Sequence, residues 1–287
     1  MRRFAQRRVR RYLLHALTII ERRALYSATL DWATIRAEAV AGCAGAVEYA
    51  DTHEFLAGVL RQAGGPHSGF RPPRPGGTRR AVEPPSGGLV DGAGHLRLPG
   101  CGGGHREYRA VGHRLVRDLA AAGPAGWVVD LRGNNGGNMW PMLAVVAPLL
   151  PRGVLGYFVP PAGPDLVWRL RRRRVTLGRR TQARTGPHHP VPATPVAVLT
   201  DGRTASSGEA VAVAFRGRPR VRTFGTATMG MTSGNETHLL RDGTLMYVTS
   251  SYFADHRRTV YRGPLPPDED GGGDPLTAAV DWIRRTS

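Results

Sequence analysis

Two short apolar runs limit most strongly what this chain can fold into. Gly126-Trp127-Val128-Val129-Asp130-Leu131 and Val196-Ala197-Val198-Leu199-Thr200 are too short for helices. A strand that is apolar on both faces must be covered on both, as in the centre of a largely parallel sheet. Each run leads through a turn of small residues into a helix-length segment, 139–150 after the first and 208–215 after the second. Strand-length segments at 95–99, 156–159, 221–225 and 245–250, with helical periodicity at 108–122 and 275–285, continue the alternation. Strands alternating with helices predict an α/β core. No internal repeat is visible.

Residues 11–64 have a different texture. Apolar side chains recur at three- and four-residue spacing (Leu13, Leu14, Leu17, Ile20, then Ile35, Ala39, Val40), so this part reads as helices. Asp31 is placed to cap the second helix, and a third runs from about Thr52 to Gln62 and stops at Gly64-Gly65. Residues 69–94 are rich in Pro, Gly and Arg and read as a linker or surface loop. The expected organisation is a helical domain over 1–68, a linker over 69–94 and a core over 95–287. No apolar run is long enough for a membrane span. The basic start and the apolar run Tyr12 to Ile20 lead directly into Glu21-Arg22-Arg23 with no small-residue cleavage site. An amphipathic first helix explains this better, and a cytoplasmic location is expected, with export not excluded.

The formal net charge of +18 by itself points to an acidic partner such as nucleic acid. All 40 basic residues are arginine, however, and lysine is absent throughout. Such a loss reads as a compositional bias of the genome, not as selection at one face. The run at 169–174 has no interleaved aromatic apart from Trp168. It reads as solvated surface, and nucleic acid is not an expected partner. Cys43 and Cys101 lack metal-ligand spacing and read as reduced thiols.

Three segments carry candidate chemistry. Asp130-Leu131-Arg132-Gly133-Asn134-Asn135-Gly136-Gly137 follows the first buried strand, and its glycines can turn backbone amides toward an oxyanion. Asp130 and Arg132 can pair to brace the loop. An ordinary strand-to-helix turn fits equally well. Thr204-Ala205-Ser206-Ser207-Gly208-Glu209 follows the second, placing a serine hydroxyl at a helix N-terminus, where developing negative charge is favoured. A plain N-cap would use the same residues. Gly64-Gly65-Pro66-His67-Ser68-Gly69 presents a histidine in a tight turn, either a general base or a solvent-facing loop residue. His188-His189, in a Pro-rich stretch, reads as solvated.

These motifs resemble those of the tail-specific, or C-terminal processing, serine peptidases. Residues 130–137 are similar to the family's DLRxNxGG segment, and residues 204–209 to its (S/T)AS(A/S)xE motif, whose serine stands three residues before the glutamate. Phe224 to Met231 resembles FGxxTxGK, and Gly263 to Asp268 the closing G-x-x-PD. The four occur in the family's order over about 95–285, and the His67 turn resembles that of the family's tricorn branch.

The resemblance implies a crotonase- or Clp-protease-like ββα core with a small helical domain, and the 26 residues of 69–94 leave no room for the family's common PDZ insertion. It implies Ser206 as nucleophile, His67 as general base and the amides of Gly136, Gly137 and Ser207 as oxyanion donors. Met231 stands where the processing branch has its catalytic lysine, and no other lysine exists, so a Ser–Lys pair is ruled out. Glu236, with Asp268 and Glu269 as alternatives, is the expected acidic partner of His67. With imidazole as base, the acid limb of the rate is expected near pH 6 to 7. The expected substrate is a peptide or protein, with no metal or organic cofactor, and a homo-oligomer is compatible with the sequence. The rival reading is a non-catalytic protein that holds a hydrophobic ligand or peptide on the same fold.

Overall fold

The computed structural model describes residues 2–73, 83–186 and 194–287. In chain order its elements are α1 (Arg2–Arg23), α2 (Trp32–Gly42), α3 (His53–Gly64), β1 (Gly69–Arg71), β2 (Ser86–Val90), β3 (Ala93–Arg97), α4 (His105–Ala121) and β4 (Trp127–Asp130). Then come α5 (Met139–Val146), β5 (Gly153–Val159), β6 (Leu166–Arg171), β7 (Arg174–Leu177), β8 (Arg180–Arg184) and β9 (Val196–Thr200). The chain closes with α6 (Ser207–Phe215), β10 (Val221–Gly225), β11 (Ser233–Leu239), β12 (Leu245–Ala254), β13 (Val260–Tyr261) and α7 (Pro275–Thr286). No helix among the described residues is long and apolar enough to cross a membrane.

The chain divides into two compact units. The smaller comprises Met1–Thr78, Pro160–Pro164 and Ser233–Ser251. Its core joins Leu13, Leu17 and Ile20 of α1 to Leu56 and Leu60 of α3 and to Met246 and Val248 of β12. Burying each such side chain is worth about 1.5–3 kcal/mol. Asp31 caps α2, accepting from the backbone amides of Ala33 and Thr34. His53 Nε2 lies 2.8 Å from Asp242 Oδ2 and 3.1 Å from Tyr12 Oη, tying α1 and α3 to the β11–β12 connection. This unit is therefore not the contiguous helical domain expected over 1–68. Its β11 and the start of β12 come from far downstream, and β12 also pairs antiparallel with β1, Gly69 opposite Tyr247.

The larger unit comprises Arg79–Val159, Asp165–Thr232 and Tyr252–Ser287. Its five-stranded sheet has the order β10-β9-β4-β3-β2, parallel except for the edge strand β2. Val129 and Val198 face one hydrophobic layer with α5 and α6, whereas Val128, Ala197 and Leu199 face another with Val280 and Ile283 of α7. Helices on both faces explain why β4 and β9 are apolar at successive positions. Strands β5 to β8 form an antiparallel meander, anchored where Phe158 meets Trp168 at a ring-centroid distance of 4.7 Å.

Two stretches differ from expectation. Within 69–94 the chain forms β1, β2 and the start of β3; Asp91 and Gly92, at φ 49° and 84°, make the two-residue hairpin turn between β2 and β3. Within 169–190 it forms β7, β8 and part of β6, because arginines alternate with the buried Trp168, Leu170 and Val175. Residues 74–82 and His188-His189 lie outside the described residues.

Candidate active site

In the larger unit, β9 ends at Thr200 and α6 begins at Ser207, so Ser206 lies in the turn between them. Its φ of 53° and ψ of −115° form a backbone conformation that a non-glycine residue holds at a cost of roughly 1–3 kcal/mol. The fully buried Glu209 carboxylate holds it there, accepting from Ser206 N at 2.8 Å. The same carboxylate accepts from Thr228 Oγ1 at 2.5 Å and Gly230 N at 2.9 Å. Burial pushes the Glu209 pKa up, against the opposing pull of these hydrogen bonds. Ser206 and Glu209 thus form a capping box, in which the side chain at the third helical position reaches back to the residue before the helix. The adjacent serines are distinct: Ser207 is buried and its Oγ donates to Gly137 O at 2.6 Å. One serine hydroxyl holds the loop, and the other sits on the strained turn.

The loop after β4 is fastened to this turn. Asp130 accepts from Arg132 at Nε (2.9 Å), Nη2 (2.7 Å) and the backbone amide (3.0 Å), as the sequence predicts. Burial opposes the charge of Asp130, but hydrogen bonds from His95 and Arg132 outweigh it and hold the carboxyl well below the usual range. Asp201 accepts from Gly133 N, and Thr204 Oγ1 donates to Leu131 O at 2.8 Å. Ala205 N donates to Asn134 O at 2.9 Å. The two loops therefore lie together at the carboxyl ends of adjacent parallel strands, where open α/β sheets place their ligands.

Of the three expected oxyanion donors, Gly136 has its N–H engaged, donating to Asn134 Oδ1 at 3.0 Å. Gly137 is bridged to Cys101 through Gly136 O and Asn138 N, a pattern that does not use its own N–H. Ser207 N opens a helix, where the first amides have no intrahelical acceptor. Gly136 has a different task. At φ 100°, a Cβ there would lie 2.9 Å from Ser206 Cβ and 3.2 Å from Ser207 N. Gly136→Ala is expected to displace the serine turn, lowering stability by about 1–3 kcal/mol and any hydrolytic rate by at least tenfold. Denaturant midpoints and steady-state rates measured side by side check this.

His67 belongs to the smaller unit, in the turn after α3, which is capped by Gly65 at φ 74°. Ser68 Oγ donates to Thr249 Oγ1 at 2.9 Å, Thr249 Oγ1 donates to Asn235 Oδ1 at 2.8 Å, and Asn235 Nδ2 donates to His67 O at 3.0 Å. His67 Nδ1 lies 2.8 Å from Ser233 Oγ. Burial pushes the imidazole pKa down to about 4, well below the expected 6 to 7, because the cation is poorly solvated there. Glu236 is paired with Arg23 in a two-pronged contact of 2.8 and 2.7 Å, with His238 at 3.4 Å. In the larger unit, Asp268 accepts from Thr223 N and Oγ1, and Glu269 pairs with Arg222. The hydroxyl of Ser233 thus stands where the sequence suggests a carboxylate, and no local signal marks it. Asn134 is visible in the sequence only as part of the glycine-rich segment.

A sequence model of peptidase family S41 matches residues 92–269, well over half of the chain and the whole of the serine turn and glycine loop. The chain belongs to peptidase family S41. The nisin-resistance protein of Lactococcus lactis subsp. lactis is 28% identical over 277 residues, which cover 96% of this chain and 86% of that protein. A lipoprotein from Streptococcus agalactiae superposes with a TM-score of 0.81 at 24% identity over 96% of both chains. The photosystem II D1 C-terminal processing protease does so with a TM-score of 0.65 at 15% identity, again over 96% of both. The mixed α/β fold is therefore that of S41 peptidases.

Proposed function

We infer that this protein is a serine-type peptidase that cleaves peptide bonds through an acyl-enzyme on Ser206, with His67 as general base. The observation that carries the reading is the strained Ser206 turn, held by the buried Glu209 beside the glycine loop. Ser206 Oγ attacks the peptide carbonyl carbon, and its proton passes to His67 Nε2. The amides of Gly137 and Ser207 hold the oxyanion, a contribution of about 3 kcal/mol per donor. As the tetrahedral intermediate collapses, His67 returns the proton to the leaving amine. It then activates water to release the acid and restore Ser206.

In this mechanism the 2.8 Å contact of Nδ1 with Ser233 Oγ is a hydrogen bond donated by Nδ1–H, the tautomer that leaves Nε2 able to accept. The absence of lysine favours this Ser/His chemistry, which resembles that of the tricorn branch, on a crotonase- or Clp-like core. The name of the L. lactis relative makes nisin the first peptide to try. A fluorophosphonate probe tests the reading: it should label the folded protein, and nisin or a fluorogenic peptide should be cut. If a folded, monodisperse preparation neither labels nor cleaves, the alternative of a ligand- or peptide-binding protein, which Met231 in the lysine position favours, takes its place.

A further inference from the structure

The hydrolytic site leaves the arginine run unused. The run lies on the β6–β7–β8 meander, wholly inside the larger unit. Arg171 stands opposite Arg174, and Arg174 opposite Arg184, so three guanidinium side chains form one row across three strands. The neighbouring row, Leu170, Val175 and Ala183, is buried in the core on the other face. No Asp or Glu occurs from 166 to 200. None of the arginines at 171–174, 179 and 184 is in an ion pair among the described residues. Like charges directly opposite each other destabilise a sheet, so this row weakens the strands that carry it.

A second observation falls at the same place. These arginines line an open concavity of about 570 Å³, and Thr176 lines it with them. Thr176 lies two residues beyond Arg174, on the same face, and is only 6% exposed. Its Oγ1 has no hydrogen-bond partner among the described residues. A buried hydroxyl left unsatisfied is costly and rare in native proteins. An unpaired cation row and an orphaned hydroxyl thus converge on one hollow, and one kind of ligand relieves both.

We propose that this concavity binds a ligand carrying several phosphate groups. Guanidinium groups only donate hydrogen bonds, so the ligand must supply acceptor oxygens and negative charge. Their planar fork matches phosphate through two parallel hydrogen bonds. The hollow has room for more than one such group, and its arginines can neutralise more than one. A free polyphosphate and clustered phosphate headgroups at a lipid surface present the same chemistry. Single-stranded nucleic acid fits less well, because Trp168, the aromatic in the run, is fully buried and cannot stack on a base.

The test uses the full chain with tripolyphosphate, by calorimetry and thermal melting, against sodium chloride at matched ionic strength. Tripolyphosphate should bind saturably, one per chain, and raise Tm more than the matched salt does. The double variant Arg174→Gln/Arg184→Gln should bind at least about tenfold more weakly, yet melt higher than wild type without ligand, because the like-charge row is gone. Thr176→Val should weaken binding severalfold without lowering Tm. Both variants should cut an uncharged peptide at the wild-type rate. Co-sedimentation with phosphatidate vesicles, lost in the double variant and competed by tripolyphosphate, assigns the ligand to a lipid surface; tripolyphosphate binding without co-sedimentation assigns it to a free polyphosphate. Binding no better than matched salt, binding unchanged in the double variant, or tighter binding of duplex DNA or a polyglutamate peptide than of tripolyphosphate overturns the proposal.

Discussion

Replacing Ser206 by alanine should abolish hydrolysis and fluorophosphonate labelling while leaving a folded protein. Loss of the nucleophile in a serine protease costs on the order of a millionfold in kcat, the largest effect expected of any single change here. Stability should change little, since alanine at φ 53° is about as strained as serine. Ser206→Gly separates the two effects. Glycine adopts positive φ without penalty, so this variant should be as inactive as the alanine one yet melt above wild type. Stability traded against activity at a single residue is the mark of a turn strained for chemistry. Ser207→Ala should behave differently. It loses the 2.6 Å bond to Gly137 O, worth about 1 kcal/mol, and should retain labelling. Labelling that survives Ser206→Ala but not Ser207→Ala would move the nucleophile by one residue and sink the assignment.

His67→Ala should lower kcat/KM by a factor of about 100 or more, the usual scale for a lost general base. The pH profile carries further information. The working form of the base is neutral imidazole, and burial holds its pKa near 4, so wild-type activity should persist as pH falls through 6.5 and decline only toward about pH 4. The same shift has a stability consequence of defined sign. Between about pH 6.5 and 4 the unfolded chain takes up a proton at this histidine that the folded chain does not, so acidification through that window destabilises the fold. Rates should therefore be measured with circular dichroism recorded at each pH. Ser233→Ala should lower kcat with little change in KM and move the acid limb to lower pH, because it removes the acceptor that favours the protonated ring, whereas a purely structural serine would leave the limb in place. Near-full activity in His67→Ala beside a dead Ser206→Ala would remove His67 from the mechanism and turn attention to His238 or His256.

Sequence alone carried the α/β reading, because β4 and β9 are apolar at every position that two covering layers require. It carried the caps and turns, since Asp31 and the Ser206–Glu209 pair act within one turn of helix, where spacing along the chain equals spacing in space. Motif register proposes Ser206 over Ser207 as nucleophile, and in the fold the Ser207 hydroxyl donates to Gly137 O. The arginine-bearing strands were harder to see, because outward arginines mask the two-residue period that Trp168 and Leu170 keep in β6, and Val175 resumes the buried row only across the hairpin. The partners of groups distant in sequence were not legible at all. That Glu236 pairs with Arg23, that Ser233 faces His67 Nδ1 and that β11 joins the helical unit all depend on contacts closed by tertiary folding. Local preference acts over a few residues and leaves a mark in the sequence. A hydrogen bond across more than a hundred residues is decided by packing, which positions the donor and acceptor only once the core around them has formed.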